Sequence, residues 1–279
     1  MVSGRHSALV GKYALVGRYG IAAFFVLFAT AGAVPGLAQI AATNPTYTAQ
    51  SIVNAATQTV EALAPNTIAT IYGTNLAFDT VAAGSSTITG ATLPQTLGGV
   101  SVVVQGLIAN LFFVSPTQIN FLVPYILTAG NVTVFVARQG IAGQPVQIQL
   151  NATSPGLFQY NGYVIATHLN GSLVSTASPA AANEIIVIYV AGLGRVSPDT
   201  TSGKLATSAA SIVAVAQTQV LLAGVACPQS SLLYVGLAPG FAGLYQINLR
   251  VPPLVPKNPE LRVQVGTQIS PPGIPLALQ

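Results

Sequence analysis

The chain has 279 residues, and only 5% of them are charged, against about 25% in ordinary soluble proteins. Three of its nine cations (Arg5, Lys12, Arg18) sit in the first 38 residues, so beyond that point six cations face five acids and the balance is near +1. Six dispersed cations do not make the basic stripe that a nucleic-acid surface needs, and a single cysteine, Cys227, excludes an intramolecular disulfide.

Residues 1–38 read as a secretory signal peptide. A basic leader precedes the apolar run 20–34, Pro35 breaks it, and Gly36-Leu37-Ala38 supplies small residues for cleavage. The uncharged stretch 19–40 is also long enough to span a bilayer, which takes about 20 residues, so an uncleaved anchor is the alternative. Cleavage would leave no membrane span and a protein that is secreted, extracellular or held in a bacterial cell envelope. Residues 39–46 read as a flexible linker.

From there the pattern is β throughout. Runs of Val, Ile, Thr, Phe and Tyr at 67–72, 99–104, 109–114, 118–123 and 131–137 alternate with Gly, Pro, Asn and Ser clusters. Residues 50–63 carry a weak helical spacing but lead into Ala-Pro and read as strand and loop. Asn161-Gly162 and Asn170-Gly171 are Asn-Gly pairs, suited to the type I′ turns that match strand twist. They predict a three-stranded meander over 156–176, with a hinge at 151–155. Cys227 reads as a small buried filler.

The chain then repeats itself. Gln118-Ile119-Asn120-Phe121-Leu122-Val123-Pro124 returns as Gln246-Ile247-Asn248-Leu249-Arg250-Val251-Pro252. Upstream, Ala64-Pro65-Asn66 through Ile71-Tyr72 returns as Ala181-Ala182-Asn183 through Ile188-Tyr189, in the same order. A period of about 100 residues is too long for a solenoid unit and suits a small domain. Two β-domains are therefore predicted, 47–151 and 152–279, each a sandwich or small barrel. The second copy is longer, and its extra residues are assigned to polar loops at 199–211 and 227–231.

Several fragments carry a resemblance: Ile71-Tyr72-Gly73-Thr74-Asn75-Leu76, Ser115-Pro116-Thr117-Gln118-Ile119-Asn120, Ser154-Pro155-Gly156-Leu157-Phe158, and Gly236 through Asn248. With Val123-Pro124-Tyr125 and Ala191-Gly192-Leu193-Gly194, they resemble the uncharacterised Solibacter-type C-terminal domain family of exported acidobacterial proteins. The 71–76 fragment is also similar to the opening of an IPT/TIG domain. The resemblance implies an all-β chain of two tandem immunoglobulin-like (IPT/TIG-like) sandwiches after the signal segment. It brings no activity with it.

Chemistry is scarce. His168 is the sole histidine beyond the leader, and Asp199, the acid considered for a Ser-His-Asp set, is distant in sequence. Five scattered acids offer no paired carboxylates, and one His with one Cys makes no metal site. Catalytic, cofactor-binding and metal residues are thus expected to be absent. The duplicated amides Gln118, Asn120, Gln246 and Asn248 read as structural, pairing with the backbone of the neighbouring Pro-Gly loop rather than forming a binding face. Tyr160 and Tyr163, flanking a hairpin tip, are the candidate contact residues, although an ordinary cross-strand aromatic pair has the same spacing.

These features predict a non-enzymatic exported protein mediating adhesion, assembly or protein contact at a cell surface. Low charge favours self-association, and an edge strand with little lysine invites strand addition. A carbohydrate-binding module is the alternative, which the lack of Trp disfavours; a hydrolase is the weaker one.

Overall fold

The computed structural model describes residues 43–279. The signal segment and the first half of the 39–46 linker lie outside the described residues. The described chain is all-β. Its first ten strands are β1 (Ile52–Asn54), β2 (Ile68–Tyr72), β3 (Val81–Ala82), β4 (Val100–Val104), β5 (Leu107–Ile108), β6 (Asn110–Val114), β7 (Gln118–Leu122), β8 (Gly130–Arg138), β9 (Ile141–Ala142) and β10 (Val146–Leu150). They form two antiparallel sheets, β1-β2-β7-β6-β3 and β10-β8-β4-β5, with β9 added to β8. Strict alternation along β4 and β8 turns Val102, Val104, Val134 and Val136 inward. They meet Ile71, Ile119 and Phe121 of the facing sheet in one core.

Thirteen strands follow: β11 (Gly156–Leu157), β12 (Gln159–Tyr160), β13 (Tyr163–Val164), β14 (Ala166–His168), β15 (Ile185–Ala191), β16 (Val196–Ser197) and β17 (Ser211–Ile212). Then come β18 (Thr218–Leu222), β19 (Val225–Ala226), β20 (Leu232–Leu237), β21 (Tyr245–Arg250), β22 (Leu261–Val265) and β23 (Gln268–Ile269). One sheet runs β11-β15-β21-β20-β17-β16 with β14 also on β15; the other runs β19-β18-β22-β23. Ile188, Ile247, Val220 and Val263 share its core.

The central strands of the two halves repeat in register. Tyr72 lies opposite Gln118 and Thr70 opposite Asn120; Tyr189 lies opposite Gln246 and Val187 opposite Asn248. The bulge between Leu111 and Phe113 on β6 recurs between Leu232 and Tyr234 on β20, against the same repeated asparagine. A third repeat appears that identity in sequence barely marks: residues 102–109 correspond to 220–227. In each, a two-residue turn at positive φ (Gln105-Gly106, Ala223-Gly224) folds the chain back. The N–H of Ala109 then bonds Val102 O at 2.8 Å, and that of Cys227 bonds Val220 O at 2.8 Å.

Four expectations need correction. Residues 43–46 are docked rather than loose: Arg138 Nη2 donates to Thr43 O at 2.6 Å, and Thr46 and Thr74 exchange backbone bonds of 2.9 Å. The 151–155 hinge is pinned, since Asn151 N donates to Leu63 O and Ser154 N to Gly192 O, both at 2.8 Å. Most of the extra length of copy two lies elsewhere than 199–211. Ten positions separate Gly236 from Gln246, where three separate Ser115 from Gln118, so the β20–β21 hairpin is extended. Its tip brings Ala242 into an apolar cluster with Ile68, Leu93 and Leu122 of the first half, which Phe158 and Leu205 also cover. Finally, Asn170 is not at positive φ, and His168 N bonds Ser172 O, so a three-residue loop replaces the type I′ turn there.

Candidate functional site

The predicted meander over 156–176 takes a different form. Gly156 and Leu157 lie opposite Ala191 and Val190, and Ala166 to His168 lie opposite Ile188 to Ile186. Phe158 N and Ile165 O both bond the backbone of Tyr189. Residues 156–157 and 166–168 are thus two pieces of one edge strand along β15. The hairpin between them leaves the sheet as an arm. Leu173 and Val174 then run beside β14, with Val174 N donating to Ala166 O at 2.9 Å.

The arm's tip is a two-residue turn with Asn161 at φ +50° and Gly162 at φ +78°, the type I′ geometry that asparagine and glycine tolerate. It sets Tyr160 directly across from Tyr163. Tyr163 is half-buried and packs on the second core, while Tyr160 is 39% exposed. Between the arm and residues 173–176 lies an open cleft of about 150 Å³, lined by Tyr160, Asn161, Tyr163, Leu173, Ser175 and Thr176 among others. A volume of about 150 Å³ holds one six-membered ring such as benzene. The cleft therefore offers aromatic and aliphatic walls with an amide and two hydroxyls, at the scale of a single ring.

Beside it stands a polar group of side chains in which the acid is not Asp199. His168 Nδ1 lies 2.5 Å from Glu184 Oε1, and Nε2 lies 3.2 Å from Ser178 Oγ and 3.1 Å from Ser178 O. Glu184 Oε2 also accepts from Ala181 N at 2.8 Å. Burial would raise the Glu184 pKa, but the bonds from His168 and Ala181 outweigh it and hold the carboxyl below its ordinary value. Asp199 is engaged elsewhere, accepting from Tyr125 Oη at 2.6 Å and Arg195 Nη2 at 2.8 Å. Tyr125, though in the first half of the chain, belongs to the second core.

The repeated amides do pair, but with each other rather than with loop backbone. Gln118 Nε2 donates to Asn120 Oδ1 at 2.9 Å, and Gln246 Nε2 to Asn248 Oδ1 at 3.0 Å. Thr70 Oγ1 adds a second donor to Asn120 at 3.1 Å. Gln118 and Asn120 are buried, whereas Gln246 and Asn248 are half-buried. Cys227 is buried and free, and burial pushes its thiol up to about 11, which leaves almost no thiolate at neutral pH. Among the described residues no group of three His, Cys, Asp or Glu is placed to hold a metal ion, and no helix is long and apolar enough to cross a membrane.

No protein-family model matches the chain, and neither does any curated protein. Among solved structures, the chain is similar to a surface glycan-binding protein, PbSGBP-B, from Prevotella bryantii, at 11% identity and a TM-score of 0.25. That match covers 81% of this chain and 41% of the other, so the chain spans about two-fifths of that protein. It is also similar, at 9% identity and a TM-score of 0.17, to a chain in the complex of the mouse coronavirus receptor-binding domain with its murine receptor. There the match covers 78% of this chain and 95% of the other. Neither likeness is close enough to carry an argument about function.

Proposed function

We propose that this is a non-enzymatic, exported surface protein of two immunoglobulin-like modules, related to the Solibacter-type family, that makes contact through the tyrosine cleft. A single sugar unit of a polysaccharide is the partner that the cleft fits. The observation that carries the reading is the ring-sized concavity between the Tyr160–Tyr163 arm and residues 173–176. Tyrosine offers a flat apolar face and a polar tip on a side chain with few rotamers, so ordering it on binding costs little. Asn161, Ser175 and Thr176 supply donors and acceptors at the rim, the mixture by which small sites fix orientation. In a chain without Trp, tyrosine is the residue left to play this part.

Affinity electrophoresis through gels carrying a panel of soluble plant and bacterial polysaccharides tests it. Retardation by at least one polysaccharide, abolished by Tyr163→Ala, is the expected result. If none retards the protein, the sugar reading fails. Protein contact or self-association then stands in its place, supported by the low charge and by the exposed side chains Leu254, Val225 and Ile126. Size-exclusion chromatography with light scattering measures that alternative.

A further inference from the structure

We infer that His168 is a positioning residue for the cleft, latching the wall at 173–176 through Ser178 and Glu184. This rests on reading the cleft as the binding site. The wall begins as a short strand, held to β14 by the bonds from His168 N to Ser172 O and from Val174 N to Ala166 O. Past Val174 it leaves the sheet. Ser175 and Ser178 then exchange backbone bonds of 3.0 Å and close a tight turn, and Ser175 and Thr176 of that turn face the cleft. The His168 ring ties this turn back to the sheet, because Nε2 meets Ser178 while Nδ1 is held by Glu184 on the adjoining chain segment.

The latch holds in either protonation state. With a neutral ring carrying its proton on Nδ1, Nε2 accepts from Ser178 Oγ. With an imidazolium, Nε2–H donates to Ser178 O, and Nδ1–H still faces the Glu184 carboxylate.

The internal repeat shows that these residues are particular to the second copy. Asn54 occupies the position of His168, since Asn54 lies opposite Ala69 as His168 lies opposite Ile186. Thr67 occupies the position of Glu184: Thr67 Oγ1 accepts from Ala64 N at 3.2 Å, just as Glu184 Oε2 accepts from Ala181 N. The carboxylate thus does the capping that threonine does in the first copy and has a second oxygen left for His168.

The same heavy atoms outline a serine–histidine–acid relay, but the surroundings do not serve acyl transfer. Ser178 N–H is spent on Ser175, Pro179 has no N–H, and Ala180 N–H bonds Ala277 O at 3.0 Å. Neither Ser178 nor the two residues after it therefore has a backbone N–H to offer a developing oxyanion, and acyl transfer depends heavily on such donors.

The test compares the full-length protein with its His168→Ala and Glu184→Gln variants by amide hydrogen exchange, with affinity electrophoresis against whichever polysaccharide retards the wild type. Exchange at 173–178 should rise in His168→Ala, and by less in Glu184→Gln, while β15 and β21 keep their protection. Affinity should fall about tenfold in His168→Ala. Unchanged exchange at 173–178, or a rise spread evenly over the second half, overturns the latch. Labelling of Ser178 by a fluorophosphonate probe overturns it in favour of a nucleophile. Because exchange needs no ligand, failure of every polysaccharide sinks the sugar reading alone.

Discussion

Replacing the two repeated asparagines one at a time probes the fold with a built-in control. Asn120 Oδ1 is the shared acceptor of Thr70 Oγ1 and Gln118 Nε2, and all three side chains are buried. Asn120→Ala leaves two buried donors without an acceptor. Each such orphan costs roughly 1–3 kcal/mol, and because the threonine hydroxyl can rotate toward a backbone carbonyl, the total should be about 3 kcal/mol. At the equivalent place in the second half, Val187 replaces Thr70 and brings no hydroxyl. Asn248 has Gln246 as its side-chain donor, and both are half-buried, so Gln246 can turn to water when the asparagine is lost. Asn248→Ala should cost about 0.5–1 kcal/mol. Urea unfolding followed by far-UV circular dichroism measures both. Equal costs, or a larger cost at Asn248, would refute the claim that burial of the amide ladder sets its energetic weight.

Two further outcomes follow from the packing and the charges. Gly243 sits at φ +64°, and a Cβ there would lie well inside contact with Leu122 Cδ1 and 2.9 Å from Asn66 O. Gly243→Ala should therefore destabilise by about 2–4 kcal/mol, from the left-handed backbone and the displaced seam together; a shift under about 0.5 kcal/mol in urea unfolding would show the seam to be pliable. Glu184 titrates below its ordinary value in the fold, so its contribution is present above its unfolded pKa and lost as pH falls through the folded one. The stability gap between wild type and Glu184→Gln should be present at pH 5 and close as pH falls below about 4; a gap that persists undiminished to about pH 2 would contradict the carboxylate's role.

Much of the architecture was legible because the repeat lies on central strands. Ile71-Tyr72 and Gln118-Ile119-Asn120 recur as Ile188-Tyr189 and Gln246-Ile247-Asn248, and the strand pairing aligns them in the same register. The block at 220–227 is hard to read from sequence because a hairpin needs only alternating apolar residues and a turn at positive φ, so Val103-Val104-Gln105 in one copy and Leu221-Leu222-Ala223 in the other build the same turn. The partner of His168 is hard to read because chain distance is a poor guide across an antiparallel pair. Glu184 is sixteen residues away, yet β14 ends beside the start of β15. The repeat itself held the clue, since Glu184 stands where Thr67 stands in the first copy and is the one charged residue in its block.

The differences between the copies also bear on the proposed contact site. Leu122, buried under the second half, is matched by Arg250, which is exposed. The first copy's outer sheet face therefore helps to hold the two halves together, while its counterpart in the second copy is more exposed at Gln246, Asn248 and Arg250. The edge strand shows the same division of labour. In both copies it is interrupted at the same place: Thr46 pairs Thr74 and Ile52 pairs Ile71, as Gly156 pairs Ala191 and Ala166 pairs Ile188. In the first copy the break holds a short 3₁₀ turn, Ala49–Ser51, and Tyr47, whose hydroxyl accepts from Val136 N at 2.9 Å inside the core. In the second it is lengthened by four residues into an arm that carries Tyr160 outward, across from the half-buried Tyr163. A scaffold duplicated for stability alone would have no use for that arm. Its added residues bury little, keep an aromatic ring at the surface and stand beside a braced wall, the pattern of a binding element mounted on a rigid sheet.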